Sequence, residues 1–353
     1  MKPFLHLITL MNFESYSIRF TEKATENGFS AENITRFLAY AKPLITNNLP
    51  VIYSSSHLSS LVGYKTSYLA RAVVFTPFFY RKFKIRKSNG GERILSEPLP
   101  SLKDIQYWIL NNILEKVSPS LYAKAYIPGR GIKQNLVFHK DQPMVLKLDI
   151  KDFFGNIRRT QVERIFRKQM KYSVNVSNLL AKLCCLNECL PQGAPTSPYL
   201  SNLCMIDFDE KIANYCLINS IRYTRYADDM TFSGTFIVDD LIERVKSELK
   251  KITLELNEQK TKLMKQGTRQ TVTGIVVNKK LQVSRLTRKK IRQAIYFIKR
   301  FGLERHLEKV KNTKKNYIRH LLGQVLFVLF INPSDEEFKN YKNFLYEMLN
   351  TEK

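Results

Sequence analysis

The chain alternates polar and apolar side chains, with the period of two that is typical of strands, in several short runs. In residues 221–234, β-branched and aromatic side chains flank Asp228 and Asp229, which predicts two strands joined by a tight turn. Residues 145–150 form an apolar strand that ends on Asp149. Further strands are predicted at residues 83–87, 92–95 and 272–278, with a turn signal at 88–91 between the first two.

Other segments repeat apolar residues with the helical period. Helices are predicted over residues 102–117, 160–189, 197–216, 239–256 and 321–331, and over most of residues 1–75 with a break at 47–50. Ser197 followed by Pro198 is a helix cap and first turn. Just before it, residues 190–198 hold three prolines and one glycine, which predict a rigid loop mounted on a packed helix. Helices mixed with hairpins indicate an α+β fold.

The net charge of the chain indicates which class of partner it binds. There are 57 Lys+Arg against 31 Asp+Glu, a net charge of +26, and few acids interrupt the basic residues from 279 to 320. Such an excess destabilises a fold by self-repulsion unless a polyanion neutralises it. A membrane surface could do so, but no helix is basic on one face and strongly apolar on the other. The scattered Tyr and Phe suit stacking on bases, so nucleic acid is the expected partner.

The remaining composition points to a soluble cytoplasmic protein. No run of about 18 apolar residues could span a membrane, and the N-terminus lacks the basic-then-apolar order of a signal peptide. The five cysteines are odd in number and match no zinc spacing, so we expect them to be reduced and mostly buried. The five histidines are too scattered to indicate a metal site.

Three acidic residues at strand ends are the candidate catalytic groups. Asp149 ends a buried strand, which is costly unless the carboxylate has a partner. Asp228 and Asp229 repel each other at a turn, and a fold normally tolerates this when a cation lies beside them. A helix N-cap at Asp149 and a solvated Asp-Asp turn are the competing interpretations.

The hairpin at 83–95 carries two candidate phosphate-binding residues. Arg86 and Arg93 lie on opposite sides of its turn, where two cations could grip a triphosphate. A solvated basic hairpin would have the same sequence pattern.

From about residue 80 to the C-terminus, the order of these elements resembles a reverse transcriptase. The matching parts are the basic hairpin, the strand ending on Asp149 with Phe153-Phe154 after it, the loop at 191–198, the Tyr226-Ala227-Asp228-Asp229 hairpin and the segment 257–261. Within that family the chain is most similar to bacterial retron enzymes, because Val272-Thr273-Gly274 follows the hairpin. Asn135 and His139 match the ends of their Asn-Ala-x-x-His element, although Leu136 stands where alanine is usual.

The resemblance implies a right-hand polymerase architecture with fingers, a palm built on an antiparallel sheet, and a helical thumb. The expected domains are an N-terminal helical extension at residues 1–75, the fingers and palm at 76–280, and a basic helical thumb at 281–353.

It also implies the chemistry of nucleotide addition. Charge builds on the attacking and leaving oxygens, where two Mg²⁺ ions stabilise it, and Mg²⁺ prefers hard oxygen ligands. Asp149 and Asp228 are the expected bridging pair, with Asp229 a weaker or indirect ligand. Phe154 is the expected steric gate under the sugar, whereas Phe153 packs in the core. Lys260 either helps to protonate the pyrophosphate or is simply solvated.

The implied site residues form four groups. The catalytic residues are Asp149, Asp228 and Asp229; the metal-binding residues are these three and Ile150; the nucleotide-binding residues are Arg86, Arg93, Phe154, Gln192 and Lys260; and the RNA- or DNA-binding residues are Asn135, His139, Val272, Thr273, Gly274, Arg288, Lys289 and Arg292.

A retron enzyme would have a dedicated structured non-coding RNA as template and primer. The resemblance then implies synthesis from the 2′-hydroxyl of an internal guanosine, deoxynucleoside triphosphate substrates, a branched RNA–DNA product (msDNA), an effector protein partner and a role in phage defence. The alternatives are another bacterial reverse transcriptase, of the mobile-intron, diversity-generating or abortive-infection type, and a nucleic-acid-binding protein with a catalytically silent polymerase fold. The intact Asp149, Asp228 and Asp229 speak against the last of these.

Overall fold

The structure, a computed structural model, describes residues 12–86, 90–310 and 316–351. The helices are α1 (Phe13–Glu26), α2 (Ala31–Thr46), α3 (Ser55–Val62), α4 (Thr66–Val74), α5 (Pro100–Asn112), α6 (Ile132–Phe138), α7 (Phe153–Asn156), α8 (Arg159–Arg164), α9 (Val174–Cys184), α10 (Ser197–Cys204), α11 (Ile206–Ile218), α12 (Val238–Lys251), α13 (Arg285–Phe301), α14 (Leu303–Lys309), α15 (Tyr317–Ile331) and α16 (Glu336–Thr351). The strands are β1 (Tyr80–Arg86), β2 (Glu92–Pro98), β3 (Met144–Asp149), β4 (Arg222–Tyr226), β5 (Asp229–Gly234), β6 (Lys262–Lys265), β7 (Thr271–Val272) and β8 (Ile275–Val276).

The described chain forms two compact units. Unit 1 contains the chain up to residue 127 with residues 150–212 and 245–256, and unit 2 contains residues 128–149, 213–244 and the chain from residue 257 onward. Parts of three predictions lie outside the described residues: residues 1–11 of the N-terminal extension, 87–89 of the basic hairpin, and 311–315 and 352–353 of the basic thumb.

In unit 1, α1 to α4 confirm the predicted N-terminal helices. The break predicted at 47–50 separates α2 from α3. Gly63 ends α3 at a φ of 76°, a left-handed conformation that suits glycine because it has no Cβ. The β1–β2 hairpin is antiparallel and pairs Tyr80 with Pro98 through to Arg86 with Glu92, as its alternating pattern predicts.

In unit 2, a four-stranded antiparallel sheet has the order β4-β5-β3-β6. The central strand β3 is buried along most of its length, which agrees with its apolar sequence. Helix α13 is rich in Lys and Arg and buries Ile291, Ile295 and Ile298, which lie on one face, in a core shared with α15 and α16. The expectation that no helix combines a basic face with an apolar one is therefore wrong, but this apolar face is covered by protein.

Two predicted helices are broken in the structure. The helix predicted at 160–189 is divided, because α8 passes into a π-helical turn at Ile165–Gln169 and the chain reverses before Ser173 caps α9. The helix predicted at 197–216 is α10 and α11, with Met205 between them. Thr196, and not Ser197, is the N-cap residue. No glycine or proline marks either break, so the apolar period continues through both in the sequence.

The strand predicted at 272–278 is also wrong. Residues 271–276 form the β7–β8 hairpin, which turns at Thr273 and Gly274 with φ values of 45° and 83°. Val272 and Ile275 flank the turn, and both are buried.

The cysteine prediction is confirmed. All five cysteines are free, and Cys184, Cys185 and Cys216 are buried. Burial raises the pKa of the Cys184 and Cys216 thiols to about 12, which keeps them protonated near neutral pH. In the described parts of the chain, every helix is too short or too polar to cross a membrane.

Candidate active site

The strand register of unit 2 brings the predicted carboxylates together. Asp149 ends β3, Asp229 begins β5, and the two residues are directly paired across the strands. Directly paired residues of an antiparallel sheet project from the same face. Asp228 lies one residue earlier, in the turn after β4, where Ala227 has a left-handed φ of 60°.

The charges of these acids act on one another. Burial raises the pKa of Asp228, and the charge of Asp149 and then that of Asp229 raise it further. A hydrogen bond from its own backbone and the charge of Lys260 act in the opposite direction without cancelling the rise. The ionised form of Asp228 is therefore destabilised until a cation joins the site.

Two lysines already contact the acids. Lys260 Nζ donates to both carboxylate oxygens of Asp149, at 2.8 and 3.0 Å, and this bond is the main cause of the raised pKa of Lys260. Lys147 Nζ lies 3.7 Å from Asp229 Oδ2. The sequence interpretation missed Lys147, although its place two residues before Asp149 in an alternating strand puts it on the same face.

A cavity of about 390 Å³ opens beside these groups. It is lined by Lys147, Leu148, Asp149, Asp229, Gln259, Lys260, Thr261 and Lys262. Lys262 is paired with Lys147 across β6 and β3, so three lysines share the cavity with two carboxylates. Such a mixture can hold both cations and anionic phosphate oxygens.

The donor set suits a hard divalent cation, although the side chains are not arranged around one. Within the described ranges, no group of three or more Asp, Glu, His or Cys side chains is placed to hold a metal ion. Asp149 is instead paired with Lys260. The carboxylate oxygens of Asp149 and Asp228 are the ligands that Mg²⁺ prefers, and the raised pKa of Asp228 is the effect that such an ion would relieve. Ile150 is buried and offers only its backbone carbonyl.

Backbone contacts hold the strand end and the turn. Arg225, which is fully buried, donates from Nη1 to the carbonyl of Ala227 at 3.0 Å. The backbone N–H of Asn257 donates to the carbonyl of Asp149 at 2.8 Å. Arg225 was not singled out in the sequence, because an arginine in an alternating strand gives no sign of being buried.

In unit 1, the structure places the candidate nucleotide-binding arginines at the end of the β1–β2 hairpin. Arg86 pairs with Glu92 and Arg93 pairs with Ile85, and both arginines are exposed. Because neighbouring positions alternate faces, Arg86 and Arg93 project from opposite faces of the ribbon. They therefore share an end of the hairpin but not a face.

The Pro-rich loop of unit 1 is fixed to β2. Ser96 N–H donates to the carbonyl of Gln192 at 2.7 Å. Gly193 has a φ of 120°, and a Cβ there would lie 2.9 Å from the carbonyl oxygen of Ser96. Only glycine permits this approach, so the residue type fixes the position of Gln192.

The two phenylalanines after β3 have different surroundings. Phe153 is buried, which confirms its predicted place in the core. Phe154 is half-buried, with its ring centroid 5.4 Å from that of Phe153 and 6.5 Å from that of Tyr126.

Several candidate nucleic-acid contacts are placed differently from the expectation. Asn135 and His139 are buried and bond to the β4–β5 hairpin, because α6 packs on that hairpin. The side chain of Val272 is buried in the core of unit 2. In the Val272-Thr273-Gly274 segment, Thr273 and Gly274, at the tip of the β7–β8 hairpin, are at least partly exposed.

Two of the predicted basic contacts are paired with acids. Arg288 bonds to Asp335 and Glu337, and Arg292 bonds to Glu337. These pairs join α13 to the start of α16, so the two arginines support the packing of these helices. Lys289, which lies between them in the sequence, is exposed.

Comparison with known proteins identifies the family. The family model described as reverse transcriptase (RNA-dependent DNA polymerase) matches residues 85–326. The retron Mx65 reverse transcriptase of Myxococcus xanthus is 30% identical over 333 residues, which cover 86% of this chain and 74% of the relative. The retron Ec86 reverse transcriptase of Escherichia coli is 29% identical over 293 residues, which cover 80% of this chain and 86% of the relative.

Among solved structures, telomerase from Candida albicans in complex with a fragment of telomeric RNA matches with a TM-score of 0.45 and 10% identity. The match covers 77% of this chain and 61% of that one, and a score this low supports no conclusion.

The family match confirms the fold class predicted from the sequence, an α+β protein with right-hand polymerase architecture. The domain boundaries at residues 75 and 280 stay predictions. Because the family model spans more than half of the chain and the retron enzymes align with most of it, the chain belongs to the reverse transcriptase family of RNA-directed DNA polymerases, as a member of the retron type.

Proposed function

We propose that this chain is the reverse transcriptase of a retron that copies a dedicated structured non-coding RNA. Synthesis starts from the 2′-hydroxyl of an internal guanosine, and the product is a branched RNA–DNA hybrid, msDNA. Similarity to retron enzymes over most of the chain supports this proposal. The observation that carries the catalytic part is the pairing of Asp149 with Asp229, beside an Asp228 whose pKa is raised by burial and by both of their charges.

The acids of unit 2 have distinct roles in this proposal. Asp149 and Asp228 supply the bridging carboxylates, and Asp229 acts less directly because adjacent residues seldom point equally at one site. Two Mg²⁺ ions, when bound, would stabilise the charge on the attacking and leaving oxygens. Lys260, whose ammonium group lines the same cavity, neutralises the leaving pyrophosphate and gives it a proton.

The nucleotide is bound by residues of unit 1. Arg86 and Arg93 bind the triphosphate of the incoming deoxynucleotide, and their exposure supports this role. Gln192 lines the nucleotide pocket, and its loop is held in place by Ser96. Phe154 acts as the steric gate that disfavours a 2′-hydroxyl. The half-exposed ring of Phe154 is compatible with a contact of this kind.

The RNA stem docks on the basic side of unit 2. A cavity of about 660 Å³ is lined there by Arg269, Asn278, Lys279, Lys280 and Arg285, among others. The net charge of +26 supports a polyanionic partner. With Lys289 and the turn at Thr273 and Gly274, these side chains form a surface that can follow phosphates, and its affinity should fall steeply as salt rises.

The proposal also includes the compartment, the protein partner and the biological role of the enzyme. By its likeness to retron enzymes, the chain works in the bacterial cytoplasm with an effector protein and takes part in defence against phage.

The proposal is tested by purifying the chain from its host with the nucleic acid that accompanies it. We expect one structured RNA joined covalently to DNA at an internal guanosine, and no such DNA with the Asp228→Ala variant. DNA synthesis in vitro without any branched product from the host would assign the chain to another type of bacterial reverse transcriptase. RNA bound without any DNA synthesis would indicate a catalytically silent binding protein.

A further inference from the structure

A chain of buried hydrogen bonds joins α6 to both strands of the β4–β5 hairpin, which we call the catalytic hairpin. His139 is fully buried, with Nδ1 2.7 Å from Ser233 Oγ on β5 and Nε2 2.7 Å from Thr224 Oγ1 on β4. Thr224 Oγ1 in turn donates to Asn135 Oδ1. One imidazole ring therefore spans the two strands whose turn carries the carboxylates.

The direction of each bond follows from the number of protons. A threonine hydroxyl has one proton, and Thr224 gives it to Asn135. Thr224 can then only accept from His139, so Nε2 carries the ring proton. In the neutral ring Nδ1 is an acceptor, and Ser233 donates to it. Replacing the ring with an apolar side chain would leave both hydroxyls without this partner.

These residues lie on the same face of the sheet as the acids. Thr224 pairs with Thr231 and Asp149 pairs with Asp229, and positions 229, 231 and 233 of β5 share one face. Helix α6 and His139 thus contact the sheet face that carries Asp149 and Asp229, at Thr224 and Ser233. Arg222 Nη1 adds another contact by donating to the carbonyl of Phe138 at 3.0 Å.

The catalytic hairpin has a physical need for such a contact. Strand β5 is held on its other side by β3, but β4 is an edge strand that, among the described strands, pairs with β5 alone. The mutual repulsion of the acids also acts to push the Asp228 turn away from Asp149. A buried polar contact to both strands opposes that movement.

We propose that His139 is a positioning residue that fixes the β4–β5 hairpin through α6, and with it the location of Asp228 and Asp229 relative to Asp149. This role rests on the proposed catalytic function of the three acids. In this role Asn135 and His139 maintain the geometry of the site and do not contact RNA.

The test compares variants by primer extension with Mg²⁺ on an RNA template, by RNA affinity and by thermal unfolding. His139→Ala should lower kcat about 100-fold, the scale expected for a misplacement of about 1 Å. The dissociation constant for RNA should change less than about threefold, and the Mg²⁺ concentration for half-maximal rate should rise. His139→Gln, whose amide can still donate to Thr224, should recover at least about tenfold of the lost kcat. Lys140→Ala, the exposed neighbour, is the matched control and should match wild type in all three measurements.

A second pair of variants tests the bond itself. Thr224→Val removes the hydroxyl at nearly constant shape and should lower kcat as His139→Ala does, whereas Thr224→Ser should stay near wild type. The double variant His139→Ala/Thr224→Val should be little worse than either single one, because both remove the same contact.

Three results would overturn the proposal. One is a folded His139→Ala enzyme with wild-type kcat and Mg²⁺ dependence. Another is a loss of RNA affinity of about tenfold or more with unchanged kcat on saturating RNA, which would make His139 an RNA contact. If His139→Ala fails to fold, wild-type kcat in folded Thr224→Val overturns the proposal. Failure of the wild-type chain to extend any primer would instead refute the proposed function, and the wild-type control shows this independently of the variants.

Discussion

Replacing Asp228 with asparagine should move stability and activity in opposite directions. In the metal-free protein, burial and the charges of Asp149 and Asp229 disfavour the Asp228 carboxylate. Asp228→Asn keeps the shape of the side chain and removes one of three mutually repelling charges. We therefore expect the variant to unfold at a higher temperature than wild type when a chelator is present, while DNA synthesis is lost.

The size of each effect can be bounded. Relief of unfavourable charge commonly adds about 0.5–2 kcal/mol to the free energy of unfolding. For a chain of this size, that is a rise in Tm of about 1–5 °C. A metal site supplies several kcal/mol of transition-state stabilisation, so its loss should lower kcat at least about 1000-fold, which is ~4 kcal/mol.

The pH dependence of stability gives a further check that Asp228→Asn stabilises the metal-free protein. The pKa of Asp228 in the folded protein lies above its ordinary value of 3.8. Asp228 therefore makes its full contribution to the stability of the fold below pH 3.8, where it is protonated. This contribution is lost as the pH rises through the pKa of Asp228 in the folded protein. Because asparagine never ionises, the difference in Tm between variant and wild type should be small in acid and should grow as the pH rises.

Thermal unfolding with and without Mg²⁺, together with primer extension, measures both effects. Mg²⁺ should raise the Tm of wild type more than that of Asp228→Asn, and RNA binding should stay largely intact in both. Asp239→Asn, an exposed acid of α12, is the control and should leave synthesis unchanged. A metal-free variant less stable than wild type at neutral pH would refute the reasoning from charge. Synthesis near the wild-type rate would show that the site is elsewhere.

Three further changes test other parts of the structure. Gly193→Ala should destabilise the chain by roughly 1–3 kcal/mol in urea unfolding and raise KM for deoxynucleotides, because of its φ of 120° and the nearby Ser96 carbonyl. Phe154→Val should raise ribonucleotide relative to deoxynucleotide incorporation by about tenfold or more, measured by extension with single nucleotides. Burial acts to raise the pKa of Asp335, but the bond to Arg288 and the charge of Arg288, together with weaker hydrogen bonds, outweigh burial and lower the pKa. Asp335→Asn should therefore cost about 1.5–3 kcal/mol at neutral pH, and wild type should lose this stability as the pH falls below 3.8.

The strands that carry the acids were predictable because alternation is a local property of the sequence. Apolar residues before Asp149 and alternating residues around Asp228 and Asp229 define β3, β4 and β5 without reference to the rest of the chain. The rigid loop around Gln192 was predictable for the same reason, since proline and glycine restrict the backbone wherever they occur.

The partners of polar side chains could not be predicted in this way. His139 bonds to residues 85 and 94 positions away, so nothing near it in the sequence indicates that it is buried. Arg288 and Arg292 belong to a strongly basic run, yet they bond to acids that follow 45 to 49 positions later. A run of positive charge predicts a nucleic-acid surface only where the folded chain brings no carboxylate to it.

The sequence did not predict the short β7–β8 hairpin, for a related reason. Val272 and Ile275 are both buried apolar residues, and with only two residues in each strand the alternation is too short to mark where the chain turns. Gly274 was the available signal, because it permits the left-handed conformation of the turn.

The central claim is that Asp149 and the Asp228 hairpin form the catalytic site of an RNA-directed DNA polymerase. Its most direct test is the extension of a primer on an RNA template with Mg²⁺ and deoxynucleotides, by wild type and by Asp149→Asn at equal concentrations of folded, RNA-bound protein. The structure predicts full-length DNA from wild type and none from the variant. Comparable extension by both proteins would contradict the claim.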